Sequence, residues 1–284
     1  SGGKRIRPAL LILANYAVGG SGDAENVIRL ATVMEMLHTA TLVHDDIIDN
    51  ADIRRNRSSV NARFGNQTAV LMGDWLYMSA FETTVKERSL EILDILTRLT
   101  RKMTEGELIQ LTRIGRIDVT EDEYLDIVRR KTAFLFSACG EVGAILADAD
   151  EAQRSALRDF GMELGIAFQL ADDLLDLTGE SRQLGKTAGS DLIEGKVTLP
   201  LIYLLKADPA FKHDIESVMF DGEYARISRS DIRQMLAGRG VLDRVRDRIK
   251  DHAEAARKSL AVLPDSEYRS CLETTLHFVT SRNS

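Results

Sequence analysis

Proline is scarce in this chain, with four in 284 residues. The residue that most disrupts helix interiors is thus nearly missing, and long helices can run unbroken. Aromatic residues amount to 6%, which is low for a sandwich or barrel of strands. There are two cysteines, Cys139 and Cys271, both in apolar stretches and neither in a C-x-x-C pair. This argues against a disulfide framework or structural zinc and fits a reducing, cytoplasmic compartment. No apolar run approaches the ~20 residues of a membrane-spanning helix, and no signal peptide is visible. Positive charge is also short: 37 Lys and Arg face 44 Asp and Glu, a net charge of −7. A general nucleic-acid binder shows the opposite balance, so nucleic acid is set aside as a partner.

What remains is helix. Apolar residues recur at three- and four-residue spacing almost throughout. The spacing predicts helices over 7–18, 24–50, 68–86, 90–114, 121–146 and 151–177. Shorter ones follow over 197–206, 209–220, 230–236, 242–262 and 266–281. Asp23 reads as the N-cap of the second helix and Gly179 as the C-cap of the 151–177 helix. Residues 53–66 read as a loop with a short helix, and 181–194 as a polar loop. With no strand-like alternation, composition break or long linker, the expectation is a single all-α domain over residues 1–284, a helical bundle.

The chemistry is concentrated in two clusters. Asp45-Asp46-Ile47-Ile48-Asp49 ends the long second helix, and Asp172-Asp173-Leu174-Leu175-Asp176 ends another. Positions i and i+4 share a helix face, so Asp45 aligns with Asp49 and Asp172 with Asp176. One such D-D-x-x-D pattern arises by chance in about one chain in twenty of this length, and two in roughly one in five hundred. Both clusters interrupt apolar runs, where unpaired carboxylates are costly. They need cations. Magnesium prefers a few carboxylate oxygens completed by water and substrate phosphate, so two facing triads would clamp metal around a diphosphate.

Acidic triads and metal leave a diphosphate still in need of basic groups. Lys4-Arg5-Ile6-Arg7 follows a Gly pair beside a helix start, a setting that favours anions. Arg54-Arg55 follows the first triad, Lys131-Thr132 lies mid-chain, and Lys186 and Lys196 follow the second triad. Each alone reads as a solvated surface charge; their placement beside acidic clusters favours a site. His38, two turns before Asp45, fits a phosphate ligand or an ordinary core histidine. Glu35-Met36-Leu37-His38 also matches one Glu-x-x-His element of di-iron bundles, which require a second that is missing here.

These residues resemble the trans-isoprenyl diphosphate synthases, or polyprenyl synthetases. The resemblance runs through Gly2-Gly3-Lys4-Arg5-Ile6-Arg7-Pro8, His38 to Arg55, Phe64-Gly65-Asn66, Gly73-Asp74 and Lys131-Thr132. It continues through Phe168-Gln169-Leu170-Ala171-Asp172-Asp173, Leu184-Gly185-Lys186 and Gly195-Lys196-Val197-Thr198-Leu199-Pro200. It covers about the first 200 residues in the family's order. It implies a helical bundle around a deep central cavity, usually a homodimer, with Mg2+ bound by Asp45, Asp46, Asp49, Asp172, Asp173 and Asp176. It implies an allylic diphosphate on Arg54, Lys131 and Lys186, and isopentenyl diphosphate on Lys4, Arg7, His38 and Arg55. Gln169 and Thr132 would line the reacting centre, and Lys196 belongs with the diphosphate-binding set. Two departures stand out: Asn56 follows Arg55 where the family usually has Gly, and the helical residues the family carries ahead of Gly-Gly-Lys are missing.

The tail of a growing product should descend along the second helix below Asp45. Thr41 and Ala40 lie there, roughly 6–8 Å down the axis. Short-chain members of the family tend to place a bulky aromatic at that level, so small residues imply a long product of octaprenyl to decaprenyl kind. Leu37 and Met36 come next, and Phe134 or Phe136 would form a deeper floor. The competing reading is that Ala40 and Thr41 serve close helix packing. An ionising terpene cyclase would need no second basic site, and a non-catalytic partner subunit would be expected to lose its triads.

Overall fold

The structure is a computed structural model that describes residues 3–54, 57–179 and 188–281. It is all-α, with helices α1 (Ile6–Ala17), α2 (Glu25–Ile48), α3 (Val60–Phe64), α4 (Asn66–Val85) and α5 (Leu90–Leu111). These are followed by α6 (Glu121–Val128), α7 (Phe134–Ile145) and α8 (Glu151–Thr178). Then come α9 (Ser190–Ile193), α10 (Leu199–Ala207), α11 (Lys212–Asp221), α12 (Arg229–Gly238), α13 (Val241–Ser259) and α14 (Glu267–Ser281). Large apolar side chains from several of them, among them Leu10, Leu30, Met34, Leu96, Leu157 and Phe160, form one core. Among the described residues, no helix is long and apolar enough to cross a membrane.

Several local expectations are corrected: residues 190–193 of the expected 181–194 loop are helical, as α9, while 180–187 lie outside the described residues. The 121–146 segment is not one helix: a π-helical turn, Arg129–Ala133, separates α6 from α7. Such a turn carries an extra residue and redirects the side chains on it, here Lys131 and Thr132. Residues 53–66 contain a minimal antiparallel hairpin, Ile53–Arg54 (β1) with Arg57–Ser58 (β2), in which Ile53 faces Ser58 and Arg54 faces Arg57. Two-residue strands are too short for alternation to reveal. Finally, α2 is capped by Ala24 in extended conformation with no side-chain cap bond, so Asp23 does not serve. Gly179 does close α8, donating its N–H to the Leu175 carbonyl, but from extended rather than left-handed backbone.

The packing that places the site runs along α7 and α8. A Cβ on Gly140 would lie 2.1 Å from the Leu157 carbonyl oxygen, and one on Gly161 2.4 Å from that of Phe136. A Cβ on Gly165 would lie 2.6 Å from the Ala133 Cα. On the other side of the π turn, a Cβ on Gly106 of α5 would lie 2.6 Å from the Arg130 Cβ. Glycine is required at these points because the facing atoms are backbone or, at Gly106, a Cβ fixed to it, and the π turn is held between α5 and α8 as a result. The two cysteines differ in setting. Cys139 is buried in α7, where burial pushes its thiol up to about 12, while Cys271 is exposed.

Gly161→Ala is expected to lower stability by about 1–3 kcal/mol through overpacking of α8 on α7. Urea unfolding followed by circular dichroism measures this; an unchanged midpoint would show that the helices can separate freely.

Candidate functional site

The first Asp cluster opens on a cleft of about 150 Å³. Thr41, His44, Asp45 and Ile48 of α2 form one wall, and Tyr77 of α4 another. Met103, Thr104 and Glu107 of α5 face them, with Lys131 reaching in from the π turn. Burial pushes the Asp45 carboxyl up to about 6 against the attraction of Lys131, and Glu107 and Asp49 add repulsion. Asp46 is 3% exposed, and Arg54 Nε of β1 donates to its Oδ1. Burial raises the Asp46 carboxyl too, with Arg54 opposing. Lys131 is held by α5, its ammonium bonded to Gln110 Oε1 and paired with Glu107.

His44 and the Gly73-Asp74 pair explain one another. A Cβ on Gly73 would lie 2.2 Å from His44 Nε2, so glycine makes room for the imidazole between α2 and α4. That nitrogen lies 3.1 Å from the Val70 carbonyl oxygen and 3.4 Å from Asp74, and the ring stacks on Tyr77 at 5.9 Å.

The second cluster is built into a hydrogen-bonded row. Thr132 Oγ1 donates to Gln169 Oε1 at 2.8 Å, and Gln169 Nε2 donates to Asp173 Oδ1 at 2.7 Å. Tyr124 of α6 donates to Asp173 Oδ2 at 2.6 Å. Burial, reinforced by the charge of Asp191, raises the Asp173 carboxyl well above the usual carboxylate range, with the Tyr124 and Gln169 bonds opposing. Asp176, also buried, accepts a bond from the Asp191 N–H at 3.4 Å. Asp172 is half-buried on the same helix.

Lys196 meets the first cluster. Its ammonium donates to Asp49 of the first triad at 2.9 Å and to Glu194 at 2.6 Å. Burial works against its charge, but Asp49 and Glu194 outweigh that and raise its pKa. Lys196, 20 residues after Asp176 in sequence, thus contacts the triad 147 residues away.

The remaining expected residues are placed as follows. The Lys4 ammonium lies 5.0 Å over the Phe278 ring of α14, and the Arg7 guanidinium 4.7 Å over the Phe136 ring. His38 is half-buried on α2, and its carbonyl accepts from Thr41 Oγ1 at 2.8 Å. Arg55, Asn56 and Lys186 lie outside the described residues. The tail-path residues divide: Thr41 lines the cleft, whereas Ala40 is fully buried and Leu37 belongs to the core. Phe136 is also fully buried, its ring 5.4 Å from that of Phe168, and Met36 and Phe134 pack partly buried against the core.

Sequence reasoning missed several participants. Glu107 and Gln110 lie one turn apart on α5 and carry no motif; only their contact with Lys131 marks them. Tyr124 sits seven residues before Lys131 and reads as a core aromatic. From the C-terminal third, Arg229 donates to the carbonyls of Asp176 at 3.3 Å and Gly179 at 2.6 Å, and Tyr224 to that of Gly189 at 2.8 Å.

Among the described residues, no three His, Cys, Asp or Glu side chains form a preassembled metal cage. The donors offered are desolvated carboxylates, hard oxygen ligands on two helices. They match magnesium, which is commonly held by one or two carboxylates and completed by water and substrate phosphate.

Comparison with known proteins agrees with this chemistry. The sequence profile of the polyprenyl synthetase family matches residues 1–231. The octaprenyl diphosphate synthase of Haemophilus influenzae is 38% identical over 282 residues, covering 99% of this chain and 85% of that protein. A geranylgeranyl diphosphate synthase of Methanosarcina mazei is 36% identical over 288 residues, covering 99% and 86%. The crystal structure of a Caulobacter crescentus polyprenyl synthase, complexed with calcium and isoprenyl diphosphate, superposes with a TM-score of 0.92 at 39% identity. It is matched over 100% of this chain and 86% of its own. On these grounds the chain belongs to the polyprenyl synthetase family, the trans-prenyltransferases.

Proposed function

We propose that the protein condenses isopentenyl diphosphate head to tail with an allylic diphosphate, and that its product is long, of octaprenyl to decaprenyl length. The observation that carries the reaction is the pair of Asp clusters at two helix ends, each with buried members (Asp46; Asp173 and Asp176), with Lys196 bonded to Asp49 of the first. Desolvated carboxylates at two helix ends, with Lys131 and Lys196 beside the first, suit a magnesium-bound diphosphate. The octaprenyl-producing relative and the ligands named for the Caulobacter protein support this reading.

When bound, Mg2+ would neutralise charge that develops on the departing diphosphate. Asp45, Asp46, Asp49, Asp172, Asp173 and Asp176 are the carboxylates proposed to hold it. Arg54, Lys131 and Lys186 would hold the allylic diphosphate, and Lys131 is pre-aimed into the cleft by Glu107 and Gln110. Cationic side chains fixed in place before reaction stabilise the leaving group without reorganising. Lys4, Arg7, His38 and Arg55 would hold isopentenyl diphosphate. Thr132 and Gln169, hydrogen-bonded to each other, would present polar atoms beside the reacting carbons. The apolar walls of the cleft, Ile48 and Met103, would keep water from the allylic cation.

Product length is read from Thr41. It lines the cleft one turn below Asp45 with a small side chain, whose hydroxyl donates to the His38 carbonyl. The 36% identical geranylgeranyl diphosphate synthase favours the alternative of a short product. Product analysis decides between them.

The homodimer is proposed through α4. Leu71, Trp75 and Met78 recur at four- and three-residue spacing and are 62–68% exposed. Such a row on one helix face is a liability in a monomer and suits a second copy of the same chain.

Mass spectrometry after incubation with farnesyl diphosphate, excess isopentenyl diphosphate and Mg2+ should show a ladder ending at long polyprenyl diphosphates, abolished by EDTA. A single-addition product would retain the enzyme class and overturn the length. Thr41→Phe should shift products several isoprene units shorter at comparable isopentenyl diphosphate turnover; an unchanged distribution would exclude this tail path. Trp75→Arg should convert a dimer to monomer by light scattering, whereas a monomeric wild type would rule the interface out.

A further inference from the structure

The hydroxyl of Tyr124 belongs to neither cluster, yet it meets the second at a buried carboxylate, Asp173. Tyr124 is 5% exposed and Asp173 4%. Both Asp173 oxygens carry a donor: the phenol on Oδ2 and the Gln169 amide on Oδ1. The Gln169 carbonyl in turn accepts from Thr132. This fixes the amide orientation, because a flipped Gln169 would present oxygen to a carboxylate and nitrogen to a donating hydroxyl.

Three separate elements meet in this row: α6 through Tyr124, α8 through Asp173 and Gln169, and the π turn through Thr132. Remove the phenolic oxygen and Asp173 Oδ2 is left buried without a donor, an expensive state that the carboxylate relieves by rotating. Gln169 then loses its fixed partner. The turn of α8 that bears Asp172 and Asp176 would lose its register against the turn that bears Lys131.

We infer that Tyr124 is a positioning residue for diphosphate-bound magnesium, acting through Asp173 and Gln169 to align the second carboxylate cluster with the π turn. The inference rests on the diphosphate reading proposed above. Groups that orient metal-binding carboxylates typically weaken metal affinity or activity 10–100-fold when lost. A purely structural role would instead cost stability alone.

Tyr203 supplies the control. It is also buried, and its hydroxyl donates at 2.9 Å to Glu121 Oε1 of α6 rather than to a carboxylate of either cluster. Tyr124→Phe and Tyr203→Phe each delete one oxygen and add no volume. The test is calorimetric titration of Mg2+ into enzyme with inorganic pyrophosphate as probe, beside thermal melting and steady-state kinetics. Tyr124→Phe should weaken Mg2+–pyrophosphate binding by about 10-fold or more and lower kcat. Tyr203→Phe should melt lower without moving either. In an Asp173→Asn background, Tyr124→Phe should add less than about twofold, since the residue acts through Asp173.

Binding in Tyr124→Phe within twofold of wild type would overturn the inference. So would equal weakening in both tyrosine variants, because the loss would then follow stability. If wild-type enzyme binds no Mg2+–pyrophosphate, the diphosphate reading itself fails, and this inference with it.

Discussion

The close approach of backbones at the π turn is the constraint on which the rest of this protein depends. Gly106 on one side and Gly165 on the other leave no room for a Cβ. That absence lets α5 and α8 reach the same five residues. Thr132 can then hydrogen-bond Gln169 of α8 while Lys131 reaches Glu107 and Gln110 of α5. A longer interhelical distance would break both sets of contacts together. The wider turn matters for the same reason, because an ordinary α-helical turn would rotate one of the two residues off its partner.

Electrostatics supplies a second constraint, working against the first. Packing α2 and α8 into an apolar bundle desolvates their carboxylates and raises Asp45, Asp46 and Asp173 above ordinary carboxylate behaviour. The fold answers each one differently. Arg54 meets Asp46, two neutral donors meet Asp173, and Lys196 meets Asp49. Asp45 is left lining the cleft opposite Lys131 and Glu107. The six carboxylates look equivalent as two repeats of one pattern, but their surroundings give them different degrees of freedom to meet a metal-bound substrate.

Much of this was legible beforehand. Helices were readable wherever an apolar stripe at helical spacing ran for several turns, as in α2, α5 and α8. The i, i+4 pairing of Asp45 with Asp49 and of Asp172 with Asp176 follows from helix geometry alone. The interruption at Arg129–Ala133 was not readable, because a π turn leaves apolar periodicity intact on both sides and shifts it by only one residue. Nor was the hairpin at Ile53–Ser58, whose strands are shorter than one full alternation. Asp23 failed as a cap for a different reason: capping depends on where the chain enters the helix, and that is set by packing of the 18–24 segment.

The sequence by itself determined the fold class and the chemistry. Apolar periodicity over long proline-poor segments admits helices and excludes sheets, and clustered Asp beside Arg and Lys admits a charged-oxygen ligand held through cations. Both are properties of neighbouring residues. Tertiary structure alone decided which groups meet. Tyr124 with Asp173, Lys196 with Asp49, and Arg229 with the end of α8 are pairs separated by 49, 147 and about 50 residues. Such contacts depend on interhelical distances and rotations set by the whole core, which no local pattern encodes.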